Sequence, residues 1–316
     1  AKSADKEVRF TSMQCLVRTA EFHYKYLTAP CFEAIWTVTL DIIKKDAEAV
    51  VQQAVEFWST ICDVELELYQ DIEEAECDGE PTNDIIIHHV MRNISSHLAP
   101  VLFECLTKQE ENIYDDDWNT AKCASACLTL LSQTIRDEIG PIVIPFVGNY
   151  INNENWRFKE AATMALGCVL EGPGEASGMP KTLQQALPFL VQHMKDPSLL
   201  VQDTSTWVIG KICAHFPNII EQNAYPVIEA LIVGMNSPEQ VIAVQACNTL
   251  LSVISLFKYD GEDTSPLSKG FSVLLNALLT ASDRTGAYES NLCVTAYEAM
   301  NVLISEAAND CQDLII

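Results

Sequence analysis

Residues 153–172 read NENWRFKEAATMALGCVLEG, and residues 196–215 read DPSLLVQDTSTWVIGKICAH. The two superpose without a gap at an offset of 43, which puts Glu160 on Asp203, Met164 on Trp207 and Gly167 on Gly210. Both carry their apolar residues at the spacing of an amphipathic helix. AEAVVQQAVEFWSTICDV (47–64) fits the same frame, with Ile61-Cys62 on Ile212-Cys213, and the stretches 238–254 and 291–304 fit more loosely.

A second ruler precedes these helices. Pro30, Pro100, Pro145, Pro188 and Pro226 lie inside apolar runs, the last three 43 and 38 residues apart. Proline near a helix start costs little, because the first N–H groups have no intrahelical acceptor. The spacing therefore predicts a helix A opening near each proline and a helix B after it. Tight polar turns join them at Lys45-Asp46, Asn152-Asn153, Lys195-Asp196-Pro197 and Asn236-Ser237-Pro238. Two helices at a period of about 40–47 residues fall in the HEAT range. One helical pair cannot bury its own apolar face, so neighbours stack. The expected fold is all-α, a HEAT-repeat α-solenoid. Its units are a lone B helix at 6–27, then pairs at 29–70, 83–137, 139–171, 181–215, 223–257 and 265–309, in one continuous array over 1–316. The first residues read as the middle of something and the last lack a capping signal, which suggests a piece of a longer chain.

Composition narrows the function. The 316 residues hold 19 Lys+Arg against 44 Asp+Glu, a net charge of -25, yet 48% are apolar. That is too apolar for an acidic disordered chain. A polyanion disfavours nucleic acid and anionic membrane surfaces and favours basic partners. No run of 18 apolar residues occurs. The twelve cysteines form no CxxC pair and read as free, mostly buried thiols; no histidine set has zinc-ligand spacing, so no metal and no cofactor is expected. GxSxG, P-loop and dinucleotide turns are missing from the sequence, so an enzyme is not expected. Gly172–Gly178, GPGEASG, reads as a turn between repeats.

Acidic charge is concentrated twice. Ten acidic residues and no Lys or Arg lie from Asp63 to Asp84, and the insert TKQEENIYDDDWN (107–119) sets Asp115, Asp116 and Asp117 directly before Trp118. With EFWSTICDVELEL (56–68), the runs 155–173 and 194–213, and AYEAM (296–300), this insert resembles the importin-β (karyopherin-β) nuclear transport receptors over essentially the whole chain.

The resemblance implies a right-handed superhelix with A helices on its convex face and B helices on its concave face. It implies binding rather than catalysis. Basic cargo, or the basic helix of importin-α, would lie in the groove. Ran-GTP would displace it, and FG nucleoporins would bind outside. It further implies a monomer that moves between cytoplasm and nucleus and docks at pore complexes of the nuclear envelope. By this likeness Trp118 and Trp207 grip the basic helix, with Asp203 and Glu160 beside them. Asp115, Asp116, Asp117, Glu56 and Asp63 face Ran or cargo, and Phe32, Ile35 and Trp36 line an FG pocket. A third groove tryptophan of the family is replaced here by Cys247 or Asn248. The pairing of Asp203 with Trp207 also makes physical sense alone. Residues i and i+4 share a face, so a carboxylate and an indole stand together for a Lys or Arg, at ~0.5–2 kcal/mol per cation–π contact. Trp36, Trp58 and Trp156 are expected in the core, with Phe57 and Trp58 facing different ways. A HEAT scaffold of the phosphatase type is the alternative.

Overall fold

The computed structural model describes residues 2–114, 117–174, 177–258, 261 and 263–314. Among them are fourteen α-helices and no strand. In chain order these are α1 (Lys6–His23), α2 (Ala29–Lys45), α3 (Glu48–Asp78), α4 (Val90–Leu106) and α5 (Thr120–Ile135), then α6 (Gly140–Tyr150), α7 (Trp156–Cys168), α8 (Met179–His193) and α9 (Leu199–His215). The last five are α10 (Pro217–Glu221), α11 (Ala224–Met235), α12 (Gln240–Ile254), α13 (Phe271–Ser282) and α14 (Leu292–Ser305). The short α10 has no counterpart in the sequence-based expectation.

The residues form two compact units. The first comprises 1–109, 116–148 and 168–179, and the second 110–115, 149–167 and 180–316. In the first, α1, α3 and α5 stack as one layer, while α2 covers α3, α4 covers α5, and α2 touches α4. In the second, α9, α12 and α14 stack, with α11 on α12 and α13 on α14. Each layer buries the apolar face that a lone hairpin would leave wet.

Three prolines do not sit where their spacing suggested. Pro30 opens α2, but Pro100, Pro145 and Pro188 lie within α4, α6 and α8. An interior proline removes one backbone hydrogen bond and kinks the helix. These A helices are held by packing that overrides the local penalty.

Phe57 and Trp58 are both fully buried although adjacent residues of a helix face different ways. The reason is that α3 is covered by α1, α2 and α5, so more than one of its faces is interior. Trp58 Nε1–H donates to Thr39 Oγ1 at 3.0 Å, and its ring meets Trp36 edge-on at 5.6 Å. Trp36 and Trp156 are only half-buried. Cys15, Cys31 and Cys77 are exposed, unlike most of the other cysteines.

The acidic stretch after Asp63 mostly extends α3, which ends at Gly79 with φ +72°, a left-handed turn that glycine adopts freely. Its core end is tied down by Glu65. This fully buried carboxylate accepts the Tyr24 hydroxyl at 2.5 Å, Val90 N–H at 2.6 Å and Met91 N–H at 3.1 Å. It therefore caps α4 from inside α3. His88 packs against both the Tyr24 and Phe32 rings, and His89 Nδ1 lies 2.7 Å from the Tyr69 hydroxyl.

Turns within repeats are pinned by ion pairs from the preceding B helix. Arg9 meets Asp46 at 2.6 Å, and Lys159 meets Asp196 at 2.5 Å. Both pairs are mostly buried, which preserves them from screening.

Candidate functional site

In the first unit the site grows from α3. Glu56, Asp63 and Glu67 recur at intervals of seven and four, one helical face, and all three are exposed. Glu56 is held above the usual carboxylate range, first by partial desolvation and then by the charge of Asp63. Asp63 is raised in the same way, by desolvation and then by Glu67. Like charges on one stripe resist ionising together, so a cation laid along it relieves the repulsion.

Trp118 joins this stripe through contacts that the sequence did not reveal. Its indole N–H donates to Cys123 Sγ at 2.7 Å, and its carbonyl accepts from Gln52 Nε2 at 3.0 Å. The Cys123 thiol is pushed up to about 11, mainly by burial, with Glu56 adding to the shift. Glu56 and Trp118 therefore flank one cysteine. Trp118 remains 59% exposed. In the repeat frame Gln52 and Glu56 occupy the places of Asp203 and Trp207, and the indole that α3 lacks comes from the insert. Glu48 Oε1 accepts from Thr120 N–H and Oγ1, which fixes where the insert re-enters α5. Asp117 is exposed, and its carbonyl accepts from Lys122 Nζ at 3.0 Å. Asp115 and Asp116 lie outside the described residues.

In the second unit the insert residues Glu111 and Tyr114 are anchored. Glu111 pairs with Arg157 at 2.9 Å, and the Tyr114 hydroxyl donates to Glu239 Oε2 at 2.5 Å. Asp203 and Trp207 stand one turn apart on α9, both half-exposed. Burial pushes the Asp203 carboxyl up to about 6. Lys211 Nζ lies 5.7 Å from the Trp207 ring centroid, so the indole already meets one cation of its own chain.

The ring rests on α7. A Cβ added at Gly167 would stand 2.3 Å from Trp207 Cζ3, so only glycine admits this approach. Gly167→Ala is expected to lower the stability of the second unit by about 1–3 kcal/mol, the usual range for overpacking, despite alanine's better helix propensity. Urea unfolding checks the stability. Tryptophan emission, compared with that of Trp207→Phe, checks whether the indole moves to water. An unchanged midpoint and spectrum would mean that the ring does not use this contact.

Glu160 has a different setting. It is 4% exposed, and its carboxylate accepts from Thr204 Oγ1 at 2.8 Å, a bond that joins α7 to α9. The alternatives at the next repeat are now separable, because Cys247 is buried and Asn248 is exposed. Asn248 therefore stands where α9 carries Trp207. On α2, Phe32 is 7% exposed against Tyr24 and His88, so the available surface comes from Ile35 and Trp36. Among the described residues no group of three His, Cys, Asp or Glu is placed to hold a metal.

A family model described as "Importin subunit beta-1-like, TPR repeats" matches residues 226–316, and a "HEAT-like repeat" model matches 156–212. Importin subunit beta-1 of Schizosaccharomyces pombe is 31% identical, over 99% of this chain and 36% of the relative. Among solved structures, one describes Kap95p binding that induces the switch loops of RanGDP to adopt the GTP-bound conformation. It superposes with a TM-score of 0.90 at 27% identity, over 99% of this chain and 35% of that one. A Kap95:Nup1 complex superposes with a TM-score of 0.87, also at 27% identity and over 99% and 35% of the two chains. The architecture is that of an all-α HEAT-repeat solenoid. Over nearly its whole length the chain is similar to importin subunit beta-1. It spans about a third of the length of the relatives that it matches.

Proposed function

We propose that this chain is a binding segment of a nuclear import receptor, with acidic side chains of its B helices and the indoles of the insert and of α9 holding a basic helix. The observation that carries the reading is the α3 stripe of Glu56, Asp63 and Glu67 beside the exposed Trp118. A carboxylate takes the charge of a Lys or Arg, and an indole takes its stem or guanidinium. Asp203 with Trp207 repeats the combination in the second unit. The occupant would be basic cargo or the importin-α helix. Ran-GTP would compete through Glu56, Asp63, Asp117 and the neighbouring Asp115 and Asp116. Two cationic partners that need the same carboxylates weaken each other reciprocally. The surface at Ile35 and Trp36, with Phe32 beneath it, would receive FG nucleoporins. The setting would be cytoplasm, nucleus and pore complex, and the role binding without catalysis.

The test is calorimetric titration of the chain with a polybasic helical peptide across salt and pH. Affinity should fall steeply with salt. It should also fall as the pH is lowered from 7 to 5. A cation favours the ionised Asp203, whose carboxyl titrates near 6, so below that pH binding must first release the proton. Ran-GTP should lower the peptide affinity. A scaffold of the phosphatase type would leave the peptide unbound, and that result would refute the proposal.

A further inference from the structure

Glu56, Met164, Trp207 and Asn248 hold the same place in the repeat, on α3, α7, α9 and α12. Four residues further on stand Thr60, Cys168, Lys211 and Ser252. Only α9 has a basic residue there, and only α9 has an indole before it. An acidic chain, with 19 Lys+Arg against 44 Asp+Glu, thus spends one of its few cations beside a ring suited to receive a partner's cation.

Residues i and i+4 share a helix face. Lys211 Nζ stands over the Trp207 ring, 5.7 Å from its centroid, within the range of about 6 Å at which an indole attracts an ammonium group. Asp203 lies eight residues before Lys211, a rise of about 12 Å along α9. The ammonium group is therefore placed to serve the ring rather than the carboxylate, whose upward pKa shift comes from burial. Lys211 is half-buried, so its head can swing from the ring into water.

We infer that Lys211 guards the cation-accepting ring of Trp207 and must move aside before a basic partner uses it. The inference rests on the reading that α9 helps to hold a basic helix. α7 already closes part of the indole at Gly167, where an added Cβ would stand 2.3 Å from Cζ3. An incoming Lys or Arg meets the ring that remains with a like charge standing over it. The partner must replace the contact that Lys211 gives up, and two cations at one indole repel. Lys211 therefore sets a ceiling on affinity at this position, and its neutralisation raises that ceiling. Asp203 keeps its carboxylate for the partner throughout.

Caesium ion, a cationic quencher of indole emission, tests the guard in the free chain, with neutral acrylamide as the reference. The Trp207 contribution is the difference between each chain and its Trp207→Phe counterpart. Lys211→Gln should raise the caesium-to-acrylamide quenching ratio about twofold, the effect of removing one unit charge about 6 Å away at 0.1 M salt. Lys211→Arg keeps the charge and should stay near the parent. Lys181→Gln, which removes an exposed charge from α8, measures the general effect of net charge. Glutamine is a good helix former, and circular dichroism checks that the Lys211 variants fold. Calorimetric titration with a polybasic helical peptide follows. Lys211→Gln should bind it about fivefold more tightly than the parent, and Lys181→Gln should not match that gain. A quenching ratio unchanged by Lys211→Gln would overturn the guard whatever the peptide does. Equal peptide affinity in Lys211→Gln and Lys181→Gln would do the same. A raised ratio with no peptide bound by any of these chains would keep the guard and remove the basic-helix reading.

Discussion

Glu65→Ala is expected to destabilise the first unit by about 3–5 kcal/mol, the range for removing one partner of a buried charged network. The carboxylate is fully buried and accepts three hydrogen bonds, two of them from the first N–H groups of α4. Alanine would strand those N–H groups and the Tyr24 hydroxyl without water. Burial, and then Glu65 itself, already hold the Tyr24 phenol well above its usual pKa, so it stays a donor. Glu65→Gln keeps one acceptor oxygen and should have a smaller effect. Urea denaturation followed by circular dichroism measures both. A loss below about 1 kcal/mol for the alanine variant would show that α4 finds another cap.

Trp207→Ala is expected to weaken binding of a basic helix by about 1–3 kcal/mol, roughly a 5- to 150-fold rise in Kd. The indole is half-buried against Gly167, and its exposed part stands one turn from Asp203. Truncation also removes packing, so thermal melting must be measured beside the titration. Trp207→Phe retains a ring over Gly167 and should recover much of the stability and part of the affinity. A lower melting temperature with unchanged affinity would assign Trp207 to packing alone.

The repeat was legible because it rests on local chemistry. The offset of 43 between 153–172 and 196–215 required only that two helices share an apolar stripe. The Asp46 and Asp196 turns were legible for the same reason. The cysteine and proline patterns were less informative, since packing alone decides which helix interior tolerates Pro100, Pro145 or Pro188.

The site was legible in its residue types but not in their relations. The family resemblance named Glu56 and Asp63, which as i and i+7 of α3 share one face. It could not show that Trp118, 62 positions after Glu56, returns to that face by bonding Gln52 and Cys123. Nor could it separate Asp203, half-exposed with a raised pKa, from its frame equivalent Glu160, buried on Thr204. A repeated helical hairpin with a strong negative charge can be read from the chain alone, since charge and apolar periodicity are properties of its residues. Which carboxylates keep contact with water and which cap a neighbouring helix follows from packing between helices, because burial depends on what lies alongside.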